Sequence, residues 1–264
     1  MLATDPDLAS LRADRGRFQP LLDRGRGLLV SAAAGHVEGK ILLPKRARSG
    51  SARAGIVALH GGGGSVEDWE HAWQPVADST GAVVILVRGS VVQGPGAFSY
   101  DQRRPARDAA RIEAWIAKAR AMAPGLSDDE LFLVGFSQGG GMAWVLGTEG
   151  ERSWRGILPI GGYVQVAVRD AVSREPVHAL AAYAFVGETD EAAIREVNAQ
   201  LVARKGLVRF RGHVETMPGG HGLPADFPAA LARAMRWCRK ADAEMNPRER
   251  LSAPRSPAAA RRPR

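Results

Sequence analysis

An apolar run that ends on a glycine-flanked serine constrains this chain more than any other feature. Residues 131–141 read Leu-Phe-Leu-Val-Gly-Phe-Ser-Gln-Gly-Gly-Gly. The stretch 131–134 is short, continuous and apolar, the pattern of a strand buried on both faces. Residues 142–147 suit a helix. Between them Gly135-Phe136-Ser137-Gln138-Gly139 must turn the chain sharply, with Ser137 at the apex. Such a turn strains the serine backbone and brings strand and helix almost into contact, so the residues two positions away must be small. Ser137 would then stand at a helix start, where backbone N–H groups and the helix dipole favour developing negative charge. An ordinary glycine-rich turn with a capping serine has the same G-x-S-x-G spelling. The strand before, the helix after and the partners described below separate the two readings.

The rest of the chain supplies the setting. Residues 1–27 are polar, with Arg and Gly scattered through them, and are expected to be poorly structured apart from a short helical pattern over 8–22. Residues 28–32 and 37–43 read as two strands joined at Gly35-His36. A strand over 55–59 runs into His60-Gly61-Gly62-Gly63-Gly64. Such a loop can lie flat and aim N–H groups inward, where one would join the N–H of Gln138 in holding an oxyanion. It carries neither G-x-x-x-x-G-K-[ST] nor a G-x-G-x-x-G with a ribose-binding acid, which disfavours a nucleotide. His60 reads as a brace for this loop rather than as a base. Helix patterns over 66–80 and 103–123 flank a buried strand over 82–87 and a long loop over 88–102. Strands over 156–160, 181–186 and 207–217 follow, with helices over 191–205 and 225–240. Strands and helices alternating in this way predict an α/β fold with a mostly parallel, doubly wound sheet and an antiparallel N-terminal edge. The only room for a lid is residues 163–180, too short for a large cap domain. The expected organisation is a catalytic domain over 28–240 and a disordered basic tail over 241–264.

Composition narrows the function classes. The apolar fraction of 45% is ordinary for a globular protein. No apolar run approaches the about 20 residues that span a bilayer, and residues 1–14 lack the basic-then-apolar pattern of a secretory signal. The single cysteine, Cys238, cannot form an internal disulfide. These features point to the cytoplasm and away from a membrane span. From Arg239 onward eight basic side chains stand against three acidic ones, so +5 of the net charge of +8 lies there. The remainder is near balance, so the high pI implies no general nucleic-acid surface.

A serine hydroxyl needs a base within hydrogen-bond reach, and the base needs an orienting carboxylate. On a sheet of this kind the chain order is serine, acid, histidine, which leaves His178, His213 and His221. His178 precedes the strand that should deliver the acid, and His213 lies within a strand pattern. His221 follows a strand in a glycine-rich loop, where catalytic groups gather. For the acid, Glu188, Asp190 and Glu191 compete after the strand over 181–186, with Asp226 more distant. Asp190 is favoured because Gly187 lets the chain turn and places it at a helix entrance, where its other role would be an N-cap. Trp69, Phe98, Tyr100 and Tyr163 are the candidate apolar wall for a substrate, and Trp69, on a helix face with Trp73 and Val76, could instead be core.

Taken in order, Leu59-His60-Gly61-Gly62-Gly63, Gly135-Phe136-Ser137-Gln138-Gly139-Gly140, Gly187-x-x-Asp190 and Gly220-His221 resemble the α/β-hydrolase superfamily, and the Ser-Gln-Gly-Gly wording resembles its phospholipase/carboxylesterase group. The resemblance runs over about residues 28–240. It implies hydrolysis of a small-molecule carboxylic ester through an acyl-enzyme, without metal or organic cofactor. It also implies that the second oxyanion donor is the N–H of Gly62. That group often carries a bulky apolar residue where Gly62 stands, and a Val two residues beyond the acid where this chain has Ala192. A thioester is open to the same chemistry. The other expectations compatible with the sequence are a non-catalytic binding protein on this fold and a tether acting through the Arg-rich tail.

Overall fold

The computed structural model describes residues 15–45, 53–204 and 206–246. Seven strands form one sheet: β1 (Gly39–Leu42), β2 (Arg53–Leu59), β3 (Val83–Val87), β6 (Leu126–Phe136), β7 (Gly156–Ile160), β8 (Leu180–Gly187) and β9 (Phe210–Met217). Their spatial order is β1-β3-β2-β6-β7-β8-β9. All neighbours run parallel except β1, which lies antiparallel to β3 at the edge. β4 (Val91–Gly94) and β5 (Ala97–Ser99) form a separate two-stranded hairpin.

The strands read as apolar runs because helices cover both faces. Along β2, Val57 and Leu59 join one core while Ile56 and Ala58 join the other, as the two-residue repeat of a strand requires. The first core takes Ile112 and Ile116 from α3 (Ala106–Met122), Trp144 from α4 (Gln138–Glu149), and Val197 and Leu201 from α6 (Ala192–Val202). The second takes Trp73 and Val76 from α2 (Val66–Thr80), and Phe227, Leu231 and Cys238 from α7 (Phe227–Met245). Each such side chain, fully withdrawn from water, contributes about 1.5–3 kcal/mol. α2 starts where Ser65 Oγ accepts the Asp68 N–H at 3.1 Å, and ends at Gly81 with φ 71°. Between β7 and β8 lie only a 3₁₀ turn (Val166–Val168) and one turn of helix, α5 (Arg169–Val172).

The N-terminal region differs from the expected hairpin. Residues 28–32 close a 19-residue helix, α1 (Arg15–Ala33), and only Gly39–Leu42 is a strand. Ala32 and Ala33 favour helix, and the positive φ of Gly35 (81°) follows the helix end. The antiparallel edge is therefore one strand, not two. α7 runs to Met245, beyond the expected boundary at 240. The expectations for residues 1–14 and for the tail over 247–264 lie outside the described residues.

Because the sheet is parallel from β3 to β9, the loops after β2, β6, β7, β8 and β9 all leave one edge of it. Residues far apart in sequence, His60, Ser137, Gly161, Asp190 and His221, are delivered there together.

Candidate active site

Ser137 has φ 53° and ψ −116°, the one positive φ outside glycine among the described residues. Holding such a conformation costs about 1–3 kcal/mol, and the surroundings must enforce it. Its N–H donates to Ile160 O at 2.8 Å, and its carbonyl accepts from Gly141 N at 3.0 Å and from Tyr163 N at 2.8 Å. The tight turn leaves no space beside it: a Cβ on Gly135 would come within 2.1 Å of Gly139 O. The Ser137 side chain is partly exposed at the N-terminus of α4, and its hydroxyl has no hydrogen-bond partner among the described residues.

The loop after β2 lies over this turn. A Cβ on Gly61 would stand 3.7 Å from Ser137 Cβ, and one on Gly62 would stand 3.6 Å from Gln138 Oε1. His60 holds the loop from behind and is 1% exposed. Its Nε2 accepts the Gly89 N–H at 3.0 Å, so its proton sits on Nδ1, which donates to Gly61 O at 2.6 Å. Burial pushes this imidazole down to about 4, so it stays neutral. His60 is thus placed as a brace.

Asp190 leaves the end of β8 with its side chain fully buried and meets His221 Nδ1 at 3.0 Å through Oδ1 and 3.2 Å through Oδ2. Oδ1 also accepts the Glu191 N–H at 2.8 Å. Glu191, not Asp190, occupies the N-cap position of α6. Glu188 and Glu191 are exposed, and Asp226 pairs with Arg233. The imidazole of His221 lies against the ring of Phe136, centroids 4.7 Å apart, one residue from Ser137. His178 instead bonds Glu151 O, and His213 stacks between Tyr183 and Trp237.

The fold has counterparts among solved structures. The esterase PE8 superposes with a TM-score of 0.54 at 20% identity, covering 77% of this chain and 99% of that one. The Bacillus cereus carboxylesterase gives 0.52 at 18%, covering 81% and 98%. FphF, a fluorophosphonate-binding serine hydrolase of Staphylococcus aureus, gives 0.52 at 14%, covering 76% and 91%. This chain has the α/β-hydrolase fold. No family model and no curated protein matches the sequence.

Within this α/β-hydrolase fold the four wall candidates separate. Phe98 and Tyr100 are 0% and 2% exposed and offer a ligand no surface, which corrects their assignment to the wall. Phe98 packs under Arg88, and its backbone pairs with Gly63 and Gly64. The Tyr100 hydroxyl accepts the His60 N–H and donates to Val87 O. Both are drawn inward because they lie on and just after β5, whose hairpin covers the glycine loop. Trp69 is partly exposed and lies against Phe136, ring centroids 5.6 Å apart. Tyr163 is 45% exposed.

Several neighbours of the site escaped the sequence reading. Gly161, φ 51°, lies against Asp190 and His221: a Cβ there would fall 2.9 Å from His221 Nδ1 and 3.1 Å from Asp190 Oδ2. A glycine pair directly after a strand was the available signal. Asn198, 0% exposed, donates to Gly162 O at 2.8 Å and accepts from Trp144 Nε1 at 3.0 Å. Asp108, also buried, accepts the Ser90 and Asp101 N–H groups, and burial pushes its carboxyl up. Neither had a local sequence signal. Among the described residues no group of three or more His, Cys, Asp or Glu could hold a metal ion, and no helix is long and apolar enough to cross a membrane. A small polar cleft lined by Asp128, Trp154, Arg155 and Asp242 opens where β6 and β7 begin, at the other edge of the sheet.

Proposed function

We propose that the protein is a serine hydrolase that cleaves carboxylic esters of small to medium acyl groups through an acyl-enzyme. Ser137 Oγ attacks the ester carbonyl carbon as His221 Nε2 takes its proton, and Asp190 holds the imidazole and steadies its positive charge. The N–H groups of Gln138 and Gly62 receive the oxyanion. Collapse expels the alcohol, which takes its proton from His221. Water then attacks the acyl-serine by the same route, releasing the acid and restoring Ser137. The serine–histidine bond is often long before substrate arrives and tightens in the complex.

One observation carries the reading: a fully buried carboxylate bonds the inner nitrogen of an imidazole stacked beside the one strained serine. The named activities of PE8 and the Bacillus cereus carboxylesterase are consistent with it. Trp69 and Tyr163, the two wall candidates that reach the surface, are the side chains we assign to the acyl or alcohol group. With little chain between β7 and β8, the opening suits compact esters.

The test is turnover of p-nitrophenyl esters of rising chain length, with acyl thioesters alongside and Ser137→Ala as control. Turnover should fall by about four to six orders of magnitude in the variant. Undiminished hydrolysis there would reject Ser137 as the nucleophile, and faster thioester cleavage would redirect the substrate class.

A further inference from the structure

An oxyanion hole works only if its donors are fixed before charge develops. The two N–H groups proposed here each belong to a trans peptide, whose carbonyl points the opposite way. Fixing that carbonyl fixes the donor. In the peptide joining Gly61 and Gly62, the carbonyl is held by His60 Nδ1 at 2.6 Å and Gly64 N at 3.1 Å. In the peptide joining Ser137 and Gln138, it is held by Gly141 N at 3.0 Å and Tyr163 N at 2.8 Å. Gly141 belongs to α4, which is rigid by itself. Tyr163 lies in a loop without regular structure, and something else must hold it.

Gln102 does so. It is 1% exposed, and its amide makes three hydrogen bonds. Nε2 donates to Tyr163 O at 2.8 Å and to Gln138 O at 3.1 Å, while Oε1 accepts the Gln165 N–H at 2.9 Å. One planar group therefore joins the loop after β5, the residue after the strained serine, and the loop after β7. The Gln138 side chain is fixed in turn, its Oε1 accepting the Tyr100 N–H at 3.0 Å.

We infer that Gln102 is a positioning residue, which keeps the Gln138 N–H aimed at the oxyanion by holding the Tyr163 backbone against Ser137 O. The inference rests on the function proposed above. Gln102 touches no reacting atom, so its loss loosens a donor rather than removing one. Removing one oxyanion donor outright costs about 10²–10³ in kcat, and loosening it should cost on the order of tenfold. The donor acts mainly in the transition state, so KM should stay within about twofold.

The experiment compares kcat and KM of wild type, Gln102→Leu and Gln102→Glu on one p-nitrophenyl ester across pH. Gln102→Leu should lower kcat about tenfold at every pH. Gln102→Glu keeps the shape and the acceptor but sets a carboxylate against two carbonyl oxygens. Protonation would return one O–H donor, so its kcat, divided by the wild-type value at the same pH, should climb as pH falls. That division removes every pH dependence the variant shares with the wild type, and a merely structural amide would give a flat ratio. A flat ratio, an unchanged kcat, or a raised KM with kcat intact overturns the inference. Should the variants not fold, amide exchange in the wild-type protein decides: the Tyr163 N–H should be protected, and free exchange overturns the inference. Hydrolysis that needs Ser137 but ignores Gln102 sinks this inference alone. Absence of Ser137-dependent hydrolysis sinks the function and this inference with it.

Discussion

Two glycine-containing loops meet the strained serine from opposite sides, and they use glycine for different reasons. In the loop after β2, Gly62 is exposed, and a Cβ there would touch nothing closer than Gln138 Oε1 at 3.6 Å, an ordinary contact. In the turn after β7, Gly161 has φ 51°, and a Cβ on it would come within 3.2 Å of both His221 and Asp190. The first loop is open and held from behind by a neutral imidazole. The second is closed and held by the buried amides of Gln102 and Asn198. A run of four glycines draws the eye, yet at Gly62 the side-chain space is free, while an unobtrusive pair has none.

Substitutions can break this contrast, starting with the largest effect. Gly161→Ala should lower kcat by about 100-fold, because a displacement of about 1 Å in a reacting group costs that much, and left-handed backbone disfavours Ala. Circular dichroism and ester turnover on the same sample would check it. Activity near wild type would mean the pair has slack that the geometry denies.

The second probe is acid, which should reach the loop held by His60. That imidazole takes its proton near pH 4 when folded and near 6.5 when unfolded. Between those values the unfolded chain binds more protons, so stability rises with pH across this window and is lost on acidification. The loss attributable to His60 is about 3 kcal/mol. Urea unfolding from pH 7 to pH 4 should show it, and His60→Gln should flatten that part of the slope. An unaltered slope in the variant would assign the acid sensitivity elsewhere. The amides of Gln102 and Asn198, which hold the other loop, do not titrate.

The smallest effect is expected at Gly62. Gly62→Ala keeps the N–H and meets no clash, so kcat should stay within about threefold of wild type. A drop of 100-fold would show that this glycine is constrained after all, and the contrast between the loops would collapse.

These differences explain what could be read from the sequence. The turn at Ser137 was legible because strand, turn and helix are consecutive, and each leaves a local pattern. Asp190 and His221 followed from chain order and from the loop-after-strand rule. Residues 28–32 were misread as a strand because a short apolar run has no decisive period, and the continuity of α1 decided otherwise. Phe98 and Tyr100 were misplaced because aromatics suit a pocket wall and a core equally, and only the hairpin's docking onto Gly63 and Gly64 settles which. Gln102 and Asn198 were passed over because their partners come from other loops and helices, so no neighbouring residue marks them, and Gly161 had only the glycine pair after β7 to mark it.

The burial of Asp190 also governs what dissolved ions can do. Its carboxylate has no surface open to solvent, whereas a pair such as Arg104 with Asp101 is exposed, at 88% and 32%. Mobile counterions crowd around charges of the second kind, with a screening length of about 10 Å at 0.1 M salt. They cannot gather around the first. The carboxylate side of the contact with His221 is therefore shielded from dissolved ions, while the imidazole, 34% exposed, faces them.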